Sequence, residues 1–254
     1  MKIRYIQDIA MISESGYDDT DTRMIVAKIL YEKPKIRKIL KKATHSTGEE
    51  RISRFDVIFG DRSTEIEYKE GGCNFIFDIN KTYFSFSLSG ERRRIANEIK
   101  NGENILCLFA GVGPFPIILA RQKKVDIVAI EKNCDAFYYL LKNIEINRLR
   151  GSIKAINDDV ENLFKYVNKN SFDRVIAPAP KIDKDFSSLY IDSIKKETGK
   201  KIYLYDFSLK DEIDRLRKIP WVLNVKKCGS YSPRVYRTCI EIDIGLYYKF
   251  SSNL

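Results

Sequence analysis

From about Leu88 onward the chain repeats one unit: an apolar run of strand length, a loop, and a stretch of helical length. No other feature constrains the fold as much. Strands that return parallel need a crossover of a dozen or more residues, and helices are the usual way to supply it. The run ENILCLF leads through AGVGP into FPIILARQKK, and VDIVAIE leads into NCDAFYYLLKNIEIN. SIKAIN, DRVIAPAP and KIYLYDF supply three further strands. In the second helix Phe137, Leu140, Leu141 and Ile144 are expected to form the apolar stripe. At the end, WVLNVKK and TCIEIDIGLYY have no helical length between them, so they are expected to pair as an antiparallel hairpin. The reading for residues 81–254 is therefore an α/β domain, a mostly parallel sheet covered by helices on both faces.

Residues 1–80 follow another rhythm and read as a small α+β domain. RYIQDIAMI is a strand candidate, and Ile25, Ile29 and Leu30 fall on one helical face. In KIRKILKK, Ile36, Ile39 and Leu40 can pack while Lys35, Arg37, Lys38, Lys41 and Lys42 are expected to face outward. FDVIFG, TEIEYKE and CNFIFDI read as strands separated by charged turns.

Charge bears on partners. Lys and Arg outnumber Asp and Glu by 45 to 35, a formal net charge of +10. Such an excess attracts polyanions, and a phosphate backbone is the commonest large one, with Lys38, Lys41 and Lys42 as candidate contacts. A lysine-rich solvated surface gives the same charge. The five cysteines form no CxxC pair, and Cys107 and Cys239 lie in apolar runs and read as small buried hydrophobes. His45 is the only histidine, so no metal site is expected. MKIRYIQDIAMI lacks a signal peptide's apolar core and no run reaches membrane-spanning length, so a cytoplasmic protein is expected.

ILCLFAGVGPF places Gly111 and Gly113 directly after the first strand of the repeating region. Glycines there let a ligand approach the backbone at the start of the next helix. A dinucleotide site would have a third glycine where Pro116 stands, which disfavours NAD. Glu131 ends the second strand, where a carboxylate can accept hydrogen bonds from both hydroxyls of a ribose. Asp158 and Asp159 follow the third, where an adenine edge can be met. Together these fit an adenosyl ligand without a phosphate, bound by Phe109, Ala110, Gly111, Gly113, Glu131, Asp158 and Asp159.

GCNFIFDINKTYFSFSLSGERRRIANEI, followed by NILCLFAGVGPFPIILA, resembles the archaeal and eukaryotic enzymes that methylate guanosine N1 just 3′ of the tRNA anticodon, together with their wyosine and wybutosine relatives. DIAMI, GEERISRFDVIFGD and GSYSPRVYRTCIEID are similar to the same family, so the resemblance runs nearly the whole length. It implies a Rossmann-like class I S-adenosylmethionine-dependent methyltransferase domain with a seven-stranded sheet, S-adenosyl-L-methionine as cofactor and tRNA as partner. It also implies roles. Glu91 would be the general base, Arg51 the cation that assists at the guanine, and Tyr83 and Arg92 further active-site neighbours. Many relatives carry an additional N-terminal domain that grips the tRNA elbow, which this chain is expected to lack.

The chain departs from the family pattern at three places. Cys107 stands where an Asp is usual, Ser87 replaces an arginine, and Pro178-Ala179-Pro180 replaces an Asn-Leu-Pro whose Asn holds the target base, while Lys181 is retained. Beside methyl transfer to guanosine N1 or a wyosine precursor stand two alternatives: a non-catalytic tRNA- or cofactor-binding paralogue, and transfer of the aminocarboxypropyl group. If Glu91 were not the base, Asp78 and Glu70 are the nearest acids in sequence.

Overall fold

A computed structural model of the chain describes residues 3–13, 19–43, 53–179 and 184–251. His45, Arg51, Pro180 and Lys181 lie outside the described residues. Two compact units emerge: residues 1–68 with 75–83, and residues 69–74 with 84–254.

In the first unit the segment expected as one strand is two. β1 (Ile3–Ile6) and β2 (Ile9–Ile12) pair antiparallel, and the chain reverses at Gln7, whose φ is 55°. Sequence pattern misses this because the reversal uses no glycine or proline. α1 (Asp19–Glu32) carries the chain to β3 (Lys38–Lys42), which runs parallel to β2 and antiparallel to β4 (Phe55–Phe59). Ala10, Ile12, Ile29, Ile36 and Ile39 fill the core. Lys38 corrects the outward-facing expectation. It is buried, and its ammonium donates to Asp61 Oδ1 at 3.0 Å and to the carbonyls of Ser63 and Glu65 at 2.8 and 3.1 Å. A buried lysine is tolerated when its three donors are taken up in this way. β5 (Glu65–Glu70) and β6 (Cys73–Asp78) form a ribbon turned at Gly71 and Gly72, both at positive φ, the two-residue turn that matches strand twist.

The second unit holds α2 (Ser89–Glu98), β7 (Asn104–Cys107), α3 (Pro114–Gln122), β8 (Asp126–Glu131), α4 (Cys134–Glu145) and β9 (Ser152–Asn157). β10 (Arg174–Ala177), α5 (Ser187–Ser193), β11 (Lys201–Leu209), α6 (Lys210–Leu216), β12 (Val222–Ser232), β13 (Val235–Asp243) and α7 (Ile244–Ser251) follow. The seven strands order as β12-β13-β11-β10-β7-β8-β9. Neighbours from β11 to β9 are parallel and β13 is antiparallel to both its neighbours, which is the expected mostly parallel Rossmann-like sheet. Leu106, Leu108, Ile130, Val175, Ala177, Ile194 and Ile202 anchor its core.

Two details differ from expectation. The buried face of α4 is Ala136, Tyr139, Leu140 and Asn143, whereas Leu141 is exposed. Asn143 accounts for the shift, because its side-chain amide donates to the Val112 carbonyl at 2.9 Å and so belongs inside. IGLYY, expected in the last strand, opens α7 instead. Asp243 accepts from the Leu246 N–H at 3.0 Å, satisfying a first-turn donor that a strand would have paired elsewhere. Among the described residues no helix is long and apolar enough to cross a membrane.

Candidate active site

In an open α/β sheet, ligands bind beyond the carboxyl ends of the strands where the strand order reverses. Here that point lies between β7 and β10. Backbone bonds fix the loop after β7 to its neighbours: Leu108 N–H donates to the Ile176 carbonyl at 3.0 Å and Ala110 N–H to the Ile130 carbonyl at 2.9 Å. The loop then takes left-handed backbone at Phe109 (φ 51°), Gly111 (57°) and Gly113 (91°). A Cβ at Gly113 would stand 2.5 Å from Leu140 Cδ1 and 2.7 Å from Ile117 Cδ1, so a larger residue would have to displace these side-chain ends while holding a φ of 91° that glycine alone takes without strain.

Glu131 is wired into the loop. One carboxylate oxygen accepts from the Gly111 N–H at 2.7 Å and the other from the Asn133 N–H at 2.8 Å. A carboxylate has about four acceptor positions, so it can hold its own loop and still receive hydroxyl donors. Asp158 accepts from Tyr166 Oη at 2.5 Å and Asn162 Nδ2 at 2.8 Å, and these bonds hold its carboxyl below the usual range. Asp159 caps the turn Val160–Lys165 through the Glu161 N–H and pairs with Lys132 at 2.9 Å. Each strand-end acid therefore also organises its own loop. The arrangement fits an adenosine: glycine-rich backbone, a fixed carboxylate for a ribose, and no Lys or Arg in the loop AGVGP to meet a diphosphate.

α2 packs on α3, the helix that this loop opens. Its buried face is Glu91, Arg92, Ile95 and Ala96. Glu91 is 5% exposed and meets two cations: Arg94, with Nη2 to Oε2 at 2.7 Å, and Lys226 of β12, with Nζ to Oε1 at 3.0 Å. Burial pushes the Glu91 carboxyl up, but these two contacts outweigh burial and hold it below its ordinary 4.5. It is ionised at neutral pH. Arg94 in turn reaches Glu98 at 2.7 Å and the buried Glu241 of β13 at 2.6 Å. Arg92 does a different task. Its guanidinium forks onto Glu70, Nε to Oε1 and Nη2 to Oε2 both at 2.6 Å, reaches the Ser85 carbonyl at 3.0 Å, and lies over the Phe84 and Phe115 rings. It is an anchor for α2.

The remaining sequence candidates separate. Tyr83 is exposed and ends the first unit; Asp78, in that unit, accepts from Thr64 Oγ1 at 2.7 Å. Glu70 is taken up by Arg92. Pro178 follows β10, and its carbonyl accepts from Arg237 Nη2 at 3.5 Å. Lys226, Arg94 and Glu241 had no sequence signal as a group, since Arg94 and Glu241 lie 147 residues apart.

The model of the TRM5/TYW2 methyltransferase domain matches residues 66–223. The tRNA 4-demethylwyosine(37)-methyltransferase Taw21 of Saccharolobus solfataricus is 29% identical over 206 residues, covering 80% of this chain and 77% of its own. The tRNA (guanine(37)-N(1))-methyltransferase Trm5b of Methanocaldococcus jannaschii is 30% identical over 243 residues, covering 94% of this chain and 70% of its own. The tRNA(Phe) (4-demethylwyosine(37)-C(7)) aminocarboxypropyltransferase of the same organism is 35% identical over 164 residues, 63% of each chain. Among solved structures, the complex of aTrm5 and tRNALeu superposes with a TM-score of 0.76 at 28% identity, over 96% of this chain and 72% of that one.

Proposed function

The chain belongs to the TRM5/TYW2 methyltransferase family, and from that premise we propose that it methylates the nucleoside 3′ of the tRNA anticodon, at guanosine N1 or on a wyosine precursor at the same position. The observation that carries this reading is the pairing, within one compact unit, of an adenosine-shaped loop with a buried, ionised carboxylate at Glu91.

The cofactor is S-adenosyl-L-methionine, which when bound supplies an electrophilic sulfonium methyl and leaves as a neutral thioether. Phe109, Ala110, Gly111 and Gly113 would hold its adenosyl moiety, Glu131 would accept from its ribose hydroxyls, and Asp158 and Asp159 would meet the adenine edge. Glu91 would accept the N1 proton of the target guanine and so free the lone pair that N1 needs for attack. Arg51 stabilises the negative charge that develops on O6. Arg92 holds α2, and with it Glu91, in place, and Tyr83 is a further active-site residue on the strength of the family resemblance. Residues 1–80 act as a small domain preceding this catalytic region, and the protein works in the cytoplasm.

Pro178 favours a second reading, because without the Asn the target base is held differently; aminocarboxypropyl transfer and cofactor binding without catalysis both accommodate that. Doubly labelled cofactor separates the three on total tRNA lacking the modification. Methyl label alone in the nucleoside is the expected result. Carboxyl label without methyl label shows aminocarboxypropyl transfer, and neither label, with cofactor bound, shows a non-catalytic protein.

A further inference from the structure

We propose that Lys226 is a catalytic, substrate-facing cation: its ammonium, resting on Glu91 in the free protein, moves onto the carbonyl oxygen of the target base as Glu91 takes the adjacent ring proton. This deepens the reading above and rests on it.

The two cations on Glu91 are not equivalent. Arg94 is 19% exposed and bound to three carboxylates at once, those of Glu91, Glu98 and Glu241. Moving it would leave the buried Glu241 without its cation and with only the Asn224 amide as donor, a costly outcome in a dry environment. Lys226 is 43% exposed, and among the described residues its ammonium pairs with Glu91 alone. Lysine is also the better mover, with a compact charge, three rotatable donors and a flexible stem. Arg94 is therefore a fixed orienting group and Lys226 a mobile one.

Geometry names the ligand. A carboxylate oxygen and an ammonium 3.0 Å apart present an acceptor beside a donor. The complementary edge is a cyclic amide, an N–H next to a C=O, which is the N1–C6 edge of guanine. A tricyclic precursor, in which that nitrogen is already closed into the third ring, has no such edge. The structure thus favours guanosine over the tricycle. The same movement supplies two needs. With Lys226 gone, Glu91 becomes a stronger base as the proton arrives, and the charge meets the oxygen where negative charge develops.

The groups facing Glu91 come from several elements. Arg94 shares its helix, Lys226 and Cys228 come from β12, Cys239 from β13 and Tyr205 from β11. Burial and Glu91 push the Cys228 thiol up to about 12, and burial likewise raises Cys239 and Tyr205. All three stay neutral, which leaves Lys226 and Arg94 to set the charge balance. The backbone agrees, since the pairing of β12 with β13 slips between Lys227 and Gly229. Bulges next to sites commonly re-aim a side chain, here Cys228.

The test is single-turnover methyl transfer against pH for wild type, Lys226→Met and Lys226→Arg, on a transcript with guanosine 3′ of the anticodon and on the same tRNA bearing 4-demethylwyosine. Lys226→Met is expected to lose roughly 10²–10³-fold in rate, as for one donor aimed at developing charge. Its acid limb should move to higher pH, its cofactor affinity should be unchanged, and Lys226→Arg should recover part of the rate. The guanosine substrate should be preferred. A Lys226→Met protein within about twofold of wild type, with its limb unmoved, overturns the assignment, as does preference for the tricycle. Should Lys226→Met fail to fold, as judged by circular dichroism, Lys226→Gln takes its place. Wild type transferring no methyl to either tRNA overturns the parent reading and this one with it, an outcome distinct from an active wild type with an indifferent variant.

Discussion

At the residue scale, two positions carry the sharpest expectations. Glu91→Gln keeps the shape of the side chain and one oxygen to accept from Arg94 or Lys226, but it cannot take a proton. Cofactor affinity by calorimetry should not change, while single-turnover transfer should fall roughly 10²–10⁴-fold, the usual share of a positioned base. Arg94 and Lys226 hold the Glu91 carboxyl low, so the acid limb of kcat/KM, which reports the free protein, should lie below the ordinary carboxylate range. The Gln variant should lack that limb. Retained full activity would send the search for a base elsewhere. At Gly111 the backbone is left-handed, φ 57°, and its N–H holds Glu131 at 2.7 Å. A β-branched residue cannot adopt that backbone without strain of about 1–3 kcal/mol. Gly111→Val should weaken cofactor binding roughly 10–100-fold, and an unchanged dissociation constant would remove this loop from the site.

At the scale of the element, α2 is set by a charged pair inside an apolar surround. Arg92 is 1% and Glu70 9% exposed, and the pair is bidentate. Removing one partner leaves the other buried and uncompensated, which costs about 3–5 kcal/mol, whereas replacing both by well-packed apolar residues is often close to neutral. Glu70→Gln should therefore lower the melting temperature by roughly 6–20 °C, and the double variant Glu70→Leu with Arg92→Met should recover much of that decrease. If the double variant were no more stable than the single one, packing around the pair rather than its charge would govern α2. The hairpin of β12 and β13 has a different bearing. Its register places Val235 opposite Leu209, the carboxyl end of β11, so its tip lies on the same sheet edge as the loop after β7. Arg234 lies in the turn at that tip, and Lys227 lies in the middle of β12 opposite Thr238, its ammonium 3.7 Å from the centre of the Tyr236 ring.

For the molecule as a whole, charge governs both stability and partner. Asp173 accepts from Lys195 at 2.8 Å, Lys200 at 2.7 Å and the Asn104 N–H at 2.8 Å, joining β7, β10 and the approach to β11. Burial pushes its carboxyl up, yet these donors prevail and bring it from 3.8 down to about 2. A folded-state value below the unfolded one means stabilisation that is complete above the unfolded value and is lost as pH falls toward the folded one. Melting temperature should thus fall between about pH 4 and 2, and Asp173→Asn should be less stable at neutral pH with a shallower decline over that window. Toward RNA, the net charge of +10 predicts that log K declines nearly linearly with log salt. Since Lys38 is spent inside the first unit, charge reversal there should unfold protein rather than flatten the slope. Lys227→Glu with Arg234→Glu should weaken tRNA binding and reduce the slope by about one for each phosphate no longer neutralised. A salt-independent affinity would return the excess charge to an ordinary solvated surface.

The sequence alone determined the sheet, because alternation of apolar strands with helices of crossover length admits few other architectures, and it placed Gly111, Gly113 and Glu131 at strand ends. These are local facts: each depends on a few neighbouring residues and on backbone geometry that glycine permits. It also made Glu91 and Arg92 worth attention through the ERRR segment, but it could not tell their tasks apart. Both lie on the buried face of α2, where a hydrophobic pattern predicts apolar side chains. Only the tertiary structure gave Arg92 to Glu70 and Glu91 to Arg94 and Lys226. It likewise turned Lys38 inward and put Asn143 rather than Leu141 on the buried face of α4. The physical reason is the same throughout. A buried polar group is stable only when distant segments bring partners to it, and pairing across a long stretch of chain leaves no periodicity in the sequence.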